Sequence, residues 1–191
     1  MLRYRLALPW VTALAVLAGC ADDTTSPVVA DAPPASAVGA ATPGVTAAPP
    51  SGSPTAENVP PTLAFKAKTL NGTEFDGATL AGKPAVLWFW APWCPTCAGQ
   101  AKGVKATAEQ LAGKVNVIGV GGLDDEAAMQ RFVTEWKLDG MPHLSDQAGT
   151  VWKRFGVTAQ STFVLLDSTG VVVHKGVFSG EDLLGRAGKL T

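Results

Sequence analysis

Trp93-Cys94-Pro95-Thr96-Cys97 follows closely on the apolar run Ala85-Val86-Leu87-Trp88-Phe89-Trp90, and no other stretch constrains the chain as tightly. Six successive apolar residues predict a buried strand. Pro95 predicts a helix start, because a helix leaves its first N–H groups unbonded and proline has none to lose. The two cysteines therefore fall at a strand-to-helix junction. There the helix N-terminus, with its free N–H groups and partial positive charge, favours ionisation of the first thiol. The second thiol lies one helical turn further on, within reach of a disulfide. Such a pair is suited to thiol–disulfide exchange.

The chain holds 191 residues but only three cysteines, Cys20, Cys94 and Cys97. Arg3 and Arg5, the apolar stretch from Leu6 to Leu17, and Leu17-Ala18-Gly19-Cys20 predict an export signal over residues 1–19. The stretch is short for a membrane span, which takes about 20 apolar residues. Leu-Ala-Gly-Cys resembles the bacterial lipobox, which implies cleavage before Cys20 and lipidation of that cysteine. A plain secretory signal that leaves Cys20 as a free thiol is the alternative. Cleavage would remove two arginines and no acid, taking the formal charge from −1 to −3. Export places the chain where disulfides persist, and a lipidated Cys20 leaves Cys94 and Cys97 only each other.

Residues 20–61 are expected to form the lipidated cysteine and a disordered tether. From Ala21 to Pro61 there is no aromatic residue, Lys or Arg, and prolines recur throughout. Forty such residues would span roughly 35 Å root-mean-square. Residues 62–191 are expected to be one globular domain. Leu63 to Ala67 and Thr73 to Phe75 predict strands around the Asn71-Gly72 turn, and Leu80 to Pro84 a second turn before the buried strand. A helix is predicted from Pro95 to Ala112, weakened by Gly99 and Gly103. Val115 to Val120 follows as a strand. Asp124 and Asp125 are expected to cap a helix whose core stripe is Met129, Phe132, Val133 and Trp136. A short helix ended by Gly156, a hairpin of Thr162–Asp167 with Val171–Lys175, and a helix over Glu181–Leu190 complete the order. The expected fold class is α/β, a central mixed sheet with helices on both faces. With no basic patch in the sequence, a nucleic-acid partner is not expected.

Phe89-Trp90-Ala91-Pro92-Trp93-Cys94-Pro95-Thr96-Cys97, with Gly156-Val157 and Thr162-Phe163-Val164-Leu165-Leu166-Asp167 downstream, resembles the thioredoxin fold, a three-layer sandwich. Asn71-Gly72 and Leu80-Ala81-Gly82-Lys83-Pro84 are similar to its exported TlpA/DsbE-like branch. The resemblance implies an extracytoplasmic thiol–disulfide oxidoreductase without a cofactor. Its partners would be cysteine-containing exported proteins and a membrane electron donor or acceptor, with the bilayer reached through Cys20. It implies that Cys94 is the exposed nucleophile and Cys97 the resolving thiol. Trp93, Pro95, Thr96, Ser161 and Thr162 would support them, with Trp93 beside the thiols and Phe89 and Trp90 in the core. Whether the chain oxidises or reduces its partners stays open.

Three other uses of such a pair are a structural disulfide, a metal site and a peroxidase. A purely structural disulfide would close so small a loop that the entropic gain is slight. A metal chaperone needs further ligands, and the sequence offers His143, expected near the site, and His174, expected on a solvated strand. A thiol peroxidase would place Thr or Ser and Pro where Ala91 and Leu87 stand. Two departures from the thioredoxin pattern matter more. Ser161 occupies the position of the usual cis-proline, where a cis bond before a non-proline residue would cost about 3 kcal/mol. Trp88 occupies the position of the usual buried acid, leaving Glu109 and Asp124 as candidate bases. Without a base near Cys97, mixed disulfides with partners are expected to persist.

Overall fold

The structure is a computed structural model that describes residues 59–191. The expected signal, Cys20 and most of the expected tether lie outside the described residues.

The apolar run forms β3, Ala85–Trp90, with every residue buried. It sits at the centre of a five-stranded sheet ordered β5-β4-β3-β6-β7. Asn116–Gly121 (β4) runs parallel to β3, and His143–Ser145 (β5) parallel to β4. Thr162–Leu166 (β6) and Val172–Val177 (β7) run antiparallel, giving the mixed sheet. Lys66–Lys68 (β1) and Glu74–Asp76 (β2) form a separate antiparallel hairpin. The helices are Pro95–Gln110 (α1), Glu126–Glu135 (α2), Thr150–Arg154 (α3) and Gly180–Ala187 (α4).

Alternation along β3 divides the core, because successive side chains leave a strand on opposite faces. Val86, Trp88 and Trp90 pack with Ala101 and Val104 of α1, Met129 and Phe132 of α2, and Leu183 of α4. Ala85, Leu87 and Phe89 pack on the other face with Val151 and Trp152 of α3, and with Leu63, Phe65 and Leu80. Helices thus cover both faces in the thioredoxin-like three-layer arrangement. Gly103 has a packing reason: a Cβ there would collide with the Gly180 backbone where α1 and α4 cross. Among the described residues no helix is long and apolar enough to cross a membrane.

Several expectations shift. Trp136 was expected in the core stripe but is 38% exposed, since α2 ends at Glu135 and turns its last residue off the buried face. The first strand starts at Lys66 rather than Leu63, because Pro60 and Pro61 open a short helical turn that carries Leu63 into the core. The Pro61 carbonyl accepts a bond from Arg154 at 2.8 Å, so packing reaches back past the expected start at residue 62.

Candidate active site

The chain leaves β3 at Trp90, turns through Ala91, Pro92 and Trp93, and enters α1 at Pro95. Cys94 is the residue capping that helix. Its Sγ accepts the backbone N–H of Cys97 at 3.1 Å, where Ser, Thr or Asp usually places an oxygen. Both cysteines are free thiols in this structure. Cys94 keeps 4% of its surface and Cys97 none. The expected exposed nucleophile is therefore largely sheltered, although it remains the more accessible of the two. The wall comes from the turn on one side and the loop before β6 on the other.

That loop brings Ser161 to the pair. Its Oγ lies 3.1 Å from Cys94 Sγ and 3.2 Å from Cys97 Sγ. Ser161 is buried and has φ +65°, in the left-handed region where a side chain carries strain. A proline ring holds φ near −65°, so this backbone has no room for the family's usual residue. Thr162 does not reach the sulfurs by a hydrogen bond; its Oγ1 donates to the Ala159 carbonyl at 2.8 Å and ties the loop.

Environment drives the thiols apart. Burial pushes Cys94 up, but hydrogen bonds from the Cys97 thiol, the Ser161 hydroxyl and the Cys97 and Thr96 backbone outweigh it, and the net shift is downward. Burial, reinforced by the bond to Cys94, pushes Cys97 up to about 11. Cys94 is the readier thiolate and Cys97 the reluctant one. The helix N-terminus was expected to hold Cys94 alone; two side-chain donors assist it.

Trp93 is 54% exposed beside the pair, and its Nε1 donates to the Leu123 carbonyl at 3.2 Å. Pro95 and Thr96 are exposed on the first turn. His143 does not approach the thiols as expected. It is buried on β5, with Nε2 3.2 Å from the Leu138 carbonyl and its ring edge-on to Trp90. His174 lies on edge strand β7 beside the Phe178 ring. Among the described residues, no group of three metal-ligating side chains forms. Neither candidate base is at the site: Glu109 faces Lys105 on the surface of α1, and Asp124 accepts the Asp125 N–H.

Gln100 is the residue that the sequence reading missed. It is buried on α1 one turn after Cys97. Its Oε1 accepts the Trp88 Nε1–H at 2.8 Å, and its Nε2 donates to the Ser161 carbonyl at 2.9 Å and the Phe178 carbonyl at 2.8 Å. One amide thus ties β3, the Ser161 loop and the end of β7 together. The signal was present in Cys97, Gln100, Ala101 and Val104: a helical stripe of buried positions with one polar member.

This geometry defines a dithiol centre on a thioredoxin-like scaffold. The Redoxin family model matches residues 43–182, and the chain belongs to that family. It is 41% identical over 133 residues to the soluble secreted antigen MPT53 of Mycobacterium tuberculosis, covering 68% of this chain and 76% of that protein. The solved structure of MTB dsbF, in mixed oxidised and reduced forms, matches with TM-score 0.66 and 46% identity, over 70% of this chain and 99% of that one. A secreted M. tuberculosis disulfide oxidoreductase homologous to E. coli DsbE matches with TM-score 0.63 and 38% identity, over 67% and 97%.

Proposed function

We propose that this protein is an exported thiol–disulfide oxidoreductase, tethered to the outer side of the cell membrane through lipid on Cys20, that exchanges disulfides with other exported proteins. The oxidoreductase class follows from the family and its secreted disulfide-exchanging relatives. The reading of the site rests on one observation: two free thiols meet at the start of α1, Cys94 Sγ accepting the Cys97 N–H at 3.1 Å and Ser161 Oγ lying 3.1 and 3.2 Å from the two sulfurs.

In the reducing direction the Cys94 thiolate attacks a partner disulfide. A Cys94–partner S–S bond forms, and one partner thiolate leaves. Cys97 then attacks Cys94 Sγ, the intramolecular disulfide closes, and the second partner thiolate departs with its share of the two electrons. Oxidation is the same path reversed. Trp93 offers an apolar surface beside the sulfur for the partner chain, and Pro95 and Thr96 border it.

The reduction potential of the pair in glutathione buffers tests both the reading and the direction. A value near the roughly −270 mV of thioredoxin marks a reductant; one near the roughly −120 to −180 mV of strong oxidants marks a disulfide donor. A pair that never closes refutes the exchange. For the tether, Cys20→Ala is expected to move the protein from the membrane to the soluble fraction; unchanged partition overturns the anchor.

A further inference from the structure

Cys97 must become a thiolate to resolve the mixed disulfide, yet it is inaccessible and its ionisation is suppressed. The strand position that could carry an acid holds Trp88, whose ring N–H is committed to Gln100. Among the described residues, no carboxylate, imidazole, amine or guanidinium hydrogen-bonds to either sulfur. Among the described residues, the one side chain that hydrogen-bonds both sulfurs is that of Ser161.

We propose that the Ser161 hydroxyl is a catalytic hydrogen-bond donor that serves the two sulfurs in turn, holding the Cys94 thiolate in the dithiol and turning to Cys97 Sγ in the mixed disulfide. This rests on the redox reading of the pair. A hydroxyl has one proton to donate and two lone pairs with which to accept. In the dithiol, with Cys94 ionised, that proton points to the charge on Cys94, to which the Cys97 thiol also donates. Once Cys94 is bonded to a partner its sulfur is neutral and a weak acceptor, so the donor is released. Rotation about Cβ–Oγ then aims it at Cys97, 3.2 Å away, without moving the backbone. There it stabilises the charge that develops on Cys97 Sγ as that thiol gives up its proton. The Cys97–Cys94 S–S bond forms, the Cys94–partner bond breaks, and the partner sulfur takes the electron pair and the proton that Cys97 released. The hydroxyl is not consumed.

The surroundings fit a donor that must stay in place. Ser161 carries a left-handed backbone, and Gln100 pins its carbonyl from α1. Thr162 closes the same loop through Ala159. Such a conformation is strained and persists where the neighbours enforce it.

The test uses Ser161→Gly, which removes the hydroxyl and relieves the left-handed strain, and Ser161→Thr, which keeps the hydroxyl. Reduced protein is mixed with Ellman's reagent in a stopped-flow instrument from pH 6 to 10. The first release of thionitrobenzoate reports attack by Cys94, and the second reports resolution by Cys97. Ser161→Gly is expected to slow the second release by about tenfold, the scale of a hydrogen bond to a charged group, and to move its pH midpoint upward. Ser161→Thr is expected to recover most of that rate. A glycine variant with the second release and midpoint unchanged overturns the proposal, as does a threonine variant as slow as glycine. Wild-type protein that gives no first release at all overturns the redox reading instead.

Discussion

Three helices in this domain begin in the same way and differ in what closes them. At α2 the Asp125 carboxylate accepts the Ala128 N–H at 2.7 Å, and at α4 the Ser179 hydroxyl accepts the Asp182 N–H at 3.1 Å. Glu126 follows the first, and Glu181 and Asp182 the second, so negative charge already answers the helix dipole. At α1 the cap is a sulfur, and the first turn holds no acid. Sulfur is a weak acceptor when protonated and a strong, charge-assisted one when ionised. The orphan N–H groups that finish two helices are, at the third, left for a thiolate. Capping at α2 and α4 serves stability; at α1 it is linked to the chemistry.

Breaking that contrast most severely is Cys94→Ser. An oxygen restores an ordinary cap, so the midpoint of urea unfolding should hold or rise, while disulfide exchange with a model peptide disappears. Residual exchange would deny Cys94 its role. Gln100→Leu comes next, because it strands the Trp88 ring N–H and the Ser161 and Phe178 carbonyls. A loss of about 3 kcal/mol in urea unfolding is expected, from buried polar groups worth roughly 1–3 kcal/mol each. Slower exchange should accompany it. Asp125→Ala sharpens the comparison from the other side: about 1 kcal/mol of stability lost, with the thiol exchange rate unchanged. A slowed exchange would mean that the caps are not separable.

The most gradual effect is the pH dependence of the reduced protein's stability. Cys94 titrates below the ordinary 9.0, so between its folded value and 9.0 the unfolded chain binds the extra proton and stability rises with pH. Cys97 is raised to about 11, so from 9.0 to about 11 the native state binds the extra proton and stability falls. Neither limb can exceed about 1.4 kcal/mol per pH unit. Urea titrations across pH should show this rise and fall, and the Cys94→Ser, Cys97→Ser double variant should lack it.

The sequence carried the scaffold well and the wiring poorly, for physical reasons. β3 was legible to the residue because an unbroken apolar run has one comfortable place, the middle of a covered sheet. The α1 start was legible because proline fits the first helical position. Trp136 misled because periodicity shows a stripe and not where the helix stops. His143 misled because its place after Met141-Pro142 says nothing about where its ring packs, which is edge-on to Trp90. The link from Gln100 to Ser161 joins residues 61 apart, a distance no local pattern encodes. Ser161 itself stood out as a missing proline; its hydroxyl between two sulfurs became visible only with the loop in place.

The most direct test of the divided thiols is alkylation of the reduced protein with limiting iodoacetamide across pH, read by mass spectrometry of the peptide carrying both cysteines. The account predicts label on Cys94 alone, with a rate that rises through a midpoint below the ordinary thiol value, and no label on Cys97 until strongly alkaline pH. Equal labelling of the two cysteines, or a Cys94 midpoint above the ordinary value, would contradict it.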